Sequence, residues 1–449
     1  MLAAREQEGK PVRVGVIGCG KFGSMFLAQA LRTAGMHVVG VVDLDVARAC
    51  AALARVGWPE AQYAAQSLPD AVAHRTTYVL DEAETLIRFD AVDVIVEATG
   101  HPAAGIRHAL LSCQYGRHIV MVNVEADVLA GPLLARRAAE AGIVYSFAYG
   151  DQPALICELV DWARTAGFDV VCAGKGTKYL PQYHQSTPDT VWSHYGFSQK
   201  QLESGDFNPQ MFNSFLDGTK SALEMSAVAN ATGLRPPEDG LAFPPCGVDD
   251  LASVLIPRSA GGQLAHKGTV EVISSLERDG RPVFRDLRWG VYVTIEAPTE
   301  YAKRCFGEYG LKTDASGQYT SMYKPFHLIG LEVGLSVASA ALRREPTGST
   351  RTFSGDVIAT AKRDLREGET LDGEGGHTVY GKLIPAERSL AMQAMPIGVA
   401  HGMRLRRPMK AGALVSWNDV SFDERRGDIA VRREMEALFS TTPARAANG

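Results

Sequence analysis

The chain has 449 residues, 46% of them apolar and 22% charged, with a formal net charge of −5. That length is too great for one ordinary core and points to about two to four domains. No Lys/Arg block marks a nucleic-acid partner, no apolar run reaches the roughly 20 residues needed to span a bilayer, and the first ten residues lack a secretion signal's apolar core.

Residues 12 to about 150 alternate strand and helix patterns. Val12-Arg13-Val14-Gly15-Val16-Ile17 runs into Gly18-Cys19-Gly20-Lys21-Phe22-Gly23, and an Ala/Leu-rich helical pattern follows at once. In a Gly-x-Gly-x-x-Gly at a strand-to-helix turn, Gly18 permits the tight turn, Gly20 admits a diphosphate, and Gly23 lets the helix pack on the sheet. A second β-run, Val38-Val39-Gly40-Val41-Val42, stops at Asp43, where a carboxylate accepts the hydroxyls of an adenine ribose. The acid favours NAD, with NADP kept possible by nearby Arg48. Further strands are expected at Thr77–Leu80, Val92–Gly100, His118–Asn123 and Gly142–Ser146, with helices at Ala103–Tyr115 and Gly131–Ala141. Strands this apolar form a parallel sheet covered on both faces, whose ligands lie beyond the carboxyl ends. The cofactor-binding set is therefore Gly18, Gly20, Lys21, Phe22, Gly23, Asp43, Ala98, Thr99, Gly100, Asn123 and Glu125. Glu125 and Asp127 serve equally well as helix caps.

Beyond residue 150 the alternation ends. A helix around Ala154–Thr165 precedes a strand, Asp169–Gly176, and a polar, aromatic segment runs from Thr177 to about Phe207. One helix is expected over Met211–Ala231, strands at Gly268–Ile273 and Gly290–Ile295, and a long apolar helix at His327–Leu342 able to pack back on the nucleotide domain. This is an α+β substrate domain, and Pro346–Ser354 reads as a linker. After it, Val357–Leu371 resembles Arg407–Val415, each with a β-run, a Gly turn and an apolar strand. Such copies resemble the small β-clip modules of the antifreeze-like SAF family. The fold class is thus α/β: a doubly wound Rossmann domain over 1–150, an α+β catalytic and dimerisation domain over 151–345, and a SAF-like β-module over 346–449.

Hydride transfer needs a group to protonate or deprotonate the substrate oxygen. Lys175 follows the small residues Cys172-Ala173-Gly174 and is expected to project from a sheet edge. Lys220 lies three residues after Asp217 and four before Glu224, one helical face on which two carboxylates would hold the ammonium charged. A solvated ion-pair face is the plainer alternative for that trio. The catalytic set is accordingly Lys175, Lys220, Asp217 and Glu224. His101 is more simply a turn residue before Pro102, and His184, His194 and His327 are too scattered for a metal site, so no metal is expected. Seven dispersed cysteines, without a Cys-x-x-Cys, argue for reduced thiols and a cytoplasmic setting.

The strings Gly18-x-Gly20-x-x-Gly23, Ala98-Thr99-Gly100, Asn123-Val124-Glu125-Ala126-Asp127, Gly150-Asp151-x-Pro153, Ala173-Gly174-Lys175-Gly176, Asp217-Gly218-x-Lys220 and Ala229-Asn230-Ala231-Thr232-Gly233 together resemble the DXR-like reductoisomerase family. Its members are homoserine-dehydrogenase-like oxidoreductases with a C-terminal SAF module. The resemblance implies a small hydroxylated carbonyl or sugar-phosphate substrate and a homodimer or higher homo-oligomer. The best-known activity there converts 1-deoxy-D-xylulose 5-phosphate to 2-C-methyl-D-erythritol 4-phosphate with NADPH; Asp43 departs from an NADPH-specific pattern. Homoserine dehydrogenase, and a non-catalytic dinucleotide sensor, are the competing readings.

Overall fold

The computed structural model describes residues 1–198, 200, 202 and 208–440. The chain divides into two compact units, 1–158 with 327–351, and 159–326 with 352–449.

In the first unit, six parallel strands take the order β3-β2-β1-β4-β5-β6. They are β1 (Val12–Ile17), β2 (Met36–Val42), β3 (Tyr78–Leu80), β4 (Val94–Glu97), β5 (His118–Met121) and β6 (Tyr145–Phe147). This is the doubly wound Rossmann order, whose reversal between β1 and β4 opens a crevice at the strands' carboxyl ends. Val14, Val16, Val41, Val94, Val96 and Val120 fill the core with Phe26 and Leu27. The helix over Val124–Glu140 begins seven residues before the expected start, because Asn123 caps it by accepting from Ala126 N.

The expected long helix at His327–Leu342 is instead a turn, a short helix over Gly334–Ala338 and one π-turn over Ser339–Arg343. Gly330 stands at φ +80°, in the left-handed region that a continuous helix excludes. The segment still packs where expected, with Val333, Val337 and Ala340 in the first unit's core. The presumed linker is likewise held: Phe147 N donates to Gly348 O (2.8 Å) and Thr350 Oγ1 to Asp127.

The second unit holds a mixed sheet, order β10-β9-β7-β8, from β7 (Asp169–Thr177), β8 (Thr269–Ser274), β9 (Val291–Glu296) and β10 (Tyr319–Lys324). The helix expected over Met211–Ala231 is two helices, Pro209–Leu216 and Thr219–Thr232, broken at Gly218 with φ +89°. Residues 199, 201 and 203–207 of the segment expected up to Phe207 lie outside the described residues.

Antiparallel β11 (Gly355–Ala361) and β12 (Val379–Pro385) follow. The two sequence copies face one another across a local two-fold. Leu365 and Met409 exchange backbone hydrogen bonds, Ala361 pairs with 412–413, and 368–369 pairs with Leu405. Gly368 and Gly412 occupy equivalent turns at φ +78° and +79°. The resemblance read between the two segments is thus a structural repeat.

Candidate active site

In the first unit the turn after β1 is shaped by close approach. A Cβ on Gly23 would lie 2.1 Å from Gly18 O, so the helix Lys21–Ala30 sits on the turn only because position 23 lacks one. Gly18 has φ +96°, and a Cβ there would meet Ala98 backbone at 2.7 Å. Gly20 has no neighbour within 4 Å of its Cβ position and heads a helix without a side-chain cap, so amides there are open to an anion. Lys21 and Phe22 open that helix. Asp43 is tied to the turn by Cys19 N (3.0 Å to Oδ2) and accepts from Asp45 N (3.1 Å). Arg48 Nη2 lies 2.5 Å from its Oδ1. Burial pushes this carboxyl's pKa up, but hydrogen bonds from Arg48, Asp45 and Cys19 outweigh it and hold the group below the ordinary value, hence charged.

The other strand ends are joined. Asn123 Nδ2 donates to Thr99 Oγ1 (3.2 Å) and to His101 O (3.0 Å), and Thr99 Oγ1 donates to buried Glu97 (2.5 Å). Ala98-Thr99-Gly100 and Asn123 therefore form one hydrogen-bonded edge, with Glu125 in the first turn after it. His101 Nδ1 caps the helix Pro102–Tyr115. Asp127 turns inward, accepting from Tyr145 Oη (2.9 Å) and Thr350 Oγ1 (2.8 Å), which makes it a core residue rather than a ligand contact.

In the second unit, Lys175 does not project from a sheet edge. β7 continues to Thr177, and the ammonium is buried against Glu224 Oε2 of the Thr219–Thr232 helix. Lys175 and Glu224, 49 residues apart, are thus brought into one ion pair. The expected trio of Asp217, Lys220 and Glu224 on one helical face is not formed. Gly218 separates two helices, so Asp217 is the C-cap of the first and accepts from Thr219 N (2.9 Å). Its Oδ2 pairs with Lys362 Nζ at 2.8 Å. Lys220 is buried in the first turn of the following helix.

Lys362 was not singled out from the sequence. It is buried at the end of β11 and also donates to Ser186 O and Gly376 O, both at 2.7 Å. The only sequence trace is a cation directly after an apolar β-run.

The helix carrying Lys220 and Glu224 is buried from Thr219 through Ala231 because it has cover on two sides. It packs on β7 and β8 and, opposite them, on β11 and β12. Ser226 Oγ donates to Gly355 O, Asn230 Oδ1 accepts from Ser354 N and Gly355 N, and Gly381 N donates to Thr219 Oγ1. Its small residues and Asn230 serve this junction rather than an open cleft.

Residues 150–333 match the family model described as the catalytic domain of the oxidoreductase DRL, and residues 356–421 match the SAF domain. Over 63 residues the chain is 41% identical to 1-deoxy-D-xylulose 5-phosphate reductoisomerase of Chlorobium chlorochromatii strain CaD3; the match spans 14% of this chain and 16% of that relative. Among solved structures, the chain is similar to the reductoisomerase of that name from Zymomonas mobilis in complex with NADPH, at 18% identity and TM-score 0.31, over 48% of this chain and 56% of the other. It is also similar to the putative oxidoreductase yvaA from Bacillus subtilis, at 12% identity and TM-score 0.37, over 76% and 91% of the two chains. The chain thus carries the catalytic domain of the oxidoreductase DRL over 150–333 and a SAF domain over 356–421.

Proposed function

We propose that this oxidoreductase is nicotinamide-dependent and acts on a small hydroxylated carbonyl compound or sugar phosphate, with reductoisomerase chemistry on 1-deoxy-D-xylulose 5-phosphate the first activity to assay. The observation that carries the reading is the turn after β1, where an open Gly20, a left-handed Gly18 and a charged Asp43 are bound into one piece. These residues fit a dinucleotide: the helix amides suit the diphosphate, and Asp43 suits the adenine ribose. When bound, the nicotinamide supplies or accepts the hydride. The chain's part is to hold a proton at the substrate oxygen, and Lys175 is assigned that role with Glu224 orienting its side chain. Lys220 is a second candidate contact for substrate oxygens.

Arg48 bears on cofactor choice. Asp43 alone favours NAD, whereas a guanidinium 2.5 Å away can turn to a 2′-phosphate. Calorimetry of the full chain with NAD(H) and NADP(H) tests the reading; heat with neither overturns it. Arg48→Ala is expected to weaken NADP(H) about tenfold or more while changing NAD(H) less than about threefold. The proposal extends to a homodimer, checked by light scattering, and to a reducing compartment, which suits seven free thiols. No helix among the described residues is long and apolar enough to cross a membrane.

A further inference from the structure

The second unit contains a cavity of about 130 Å³ with walls from both family domains. The catalytic domain contributes His184, Gly218, Asp239 and Phe243, and strand β12 of the SAF domain contributes Tyr380 and Lys382. Two of its polar groups are unspent. Lys382 Nζ and Tyr380 Oη make no hydrogen bond or ion pair with a described residue. Being two apart on one strand, they lie on the same face. The lysine stem runs close over Gly240, its Cε 2.9 Å from where a Cβ on that residue would sit.

The remaining groups are already satisfied. His184 Nδ1 donates to Asp217 O (2.7 Å) and its Nε2 accepts from Tyr179 Oη (2.9 Å), an assignment of tautomer that serves both bonds. Burial pushes this imidazole's pKa down, so it stays neutral. Asp239 pairs with Arg388 at 3.3 Å. Aromatic rings form one wall: Phe243, backed by Tyr179 stacked on it at 3.9 Å, and His184, stacked on Tyr380 at 4.6 Å. Gly218 places the positive end of the Thr219–Thr232 helix at the same cavity. An ammonium, a phenol hydroxyl and a helix start, set against an aromatic wall whose carboxylate, Asp239, is paired with Arg388, favour an anion.

We propose that this cavity is a second ligand site, shared by the catalytic and SAF domains, that binds a small carboxylate or phosphate anion through Lys382 and Tyr380. An occupant would touch Gly218 and the β12 segment whose Gly381 N holds Thr219 Oγ1 (2.8 Å), the residue before Lys220. The SAF domain would thereby bias the helix that carries Lys220 and Glu224. The proposal stands apart from the nicotinamide reading and is tested without turnover.

Calorimetry of the full chain with malonate, and separately with inorganic phosphate, distinguishes a carboxylate from a phosphate preference. At least one probe is expected to bind. Lys382→Met, which keeps the stem's packing, is expected to weaken it about tenfold or more, and Tyr380→Phe about threefold. Lys410→Met, on the far copy of the SAF repeat, is expected to change nothing. Binding of neither probe overturns the proposal, as does equal binding by Lys382→Met and the wild type. If Lys382→Met does not fold, Tyr380→Phe and a crystal grown with the binding probe decide: the anion beside Lys382 Nζ supports the site, and the anion elsewhere with undiminished affinity in Tyr380→Phe refutes it.

Discussion

Lys175 and Glu224 are each nearly inaccessible, so neither charge has water to fall back on. Removing one partner leaves the other buried and uncompensated, a loss of about 3–5 kcal/mol in comparable pairs. Lys175→Met is therefore expected to lower the melting temperature and to reduce turnover by about 100-fold or more, with calorimetric NAD(H) affinity unchanged. Adding Glu224→Gln should recover most of the stability and none of the turnover. Recovery of both would reduce the pair to a packing device. Local chemistry explains which residues were legible. Gly18 and Gly23 shape one strand-turn-helix and Asp43 bonds that turn from the end of the next strand, so their spacing along the chain suffices. The partners of Glu224 and Asp217 come from β7 and from the end of β11, and no periodicity within the Thr219–Thr232 helix encodes those pairings.

At the scale of elements, the Rossmann strands were readable because parallel strands buried on both faces are continuous apolar runs. The helices were less so where glycine breaks a pattern that hydrophobicity alone continues, as at Gly218 and before Gly334. The Thr219–Thr232 helix shows the other difficulty: its Asn230 reads as a polar residue near a site, yet it serves as an acceptor for two backbone amides of the β11 entry. Asn230→Ala strands both donors. The expected cost is about 2 kcal/mol or more, measured by urea unfolding at constant slope, with an intact dinucleotide affinity. A stability change under about 0.5 kcal/mol would mean that solvent reaches the two amides.

At the scale of the whole molecule, among the described residues each unit buries one carboxyl whose pKa burial pushes up to about 7: Asp127 in the first and Glu271 in the second. Hydrogen bonds from Thr350 and Tyr145, and from the amides of Val272, Ala242 and Phe243, oppose that shift without cancelling it. Both groups stay protonated in the fold at pH values where the unfolded chain has released its protons. Their stabilising effect is complete below about pH 4 and fades as pH rises toward 7, at about 1.4 kcal/mol per pH unit for each group. Unfolding free energies at pH 5, 6 and 7 should therefore decline more steeply in the wild type than in Asp127→Asn. Parallel slopes would show that Asp127 is ionised in the fold.

The two-sided cover of the Thr219–Thr232 helix also constrains how this gene can be cut. Ending the polypeptide at Ser354 removes β11, β12 and Lys362 in one stroke, baring an alanine-rich flank and stranding Asp217 without its cation. The SAF segment is consequently an integral wall of the catalytic half, and an attempt to express that half by itself should yield aggregate in place of a smaller enzyme.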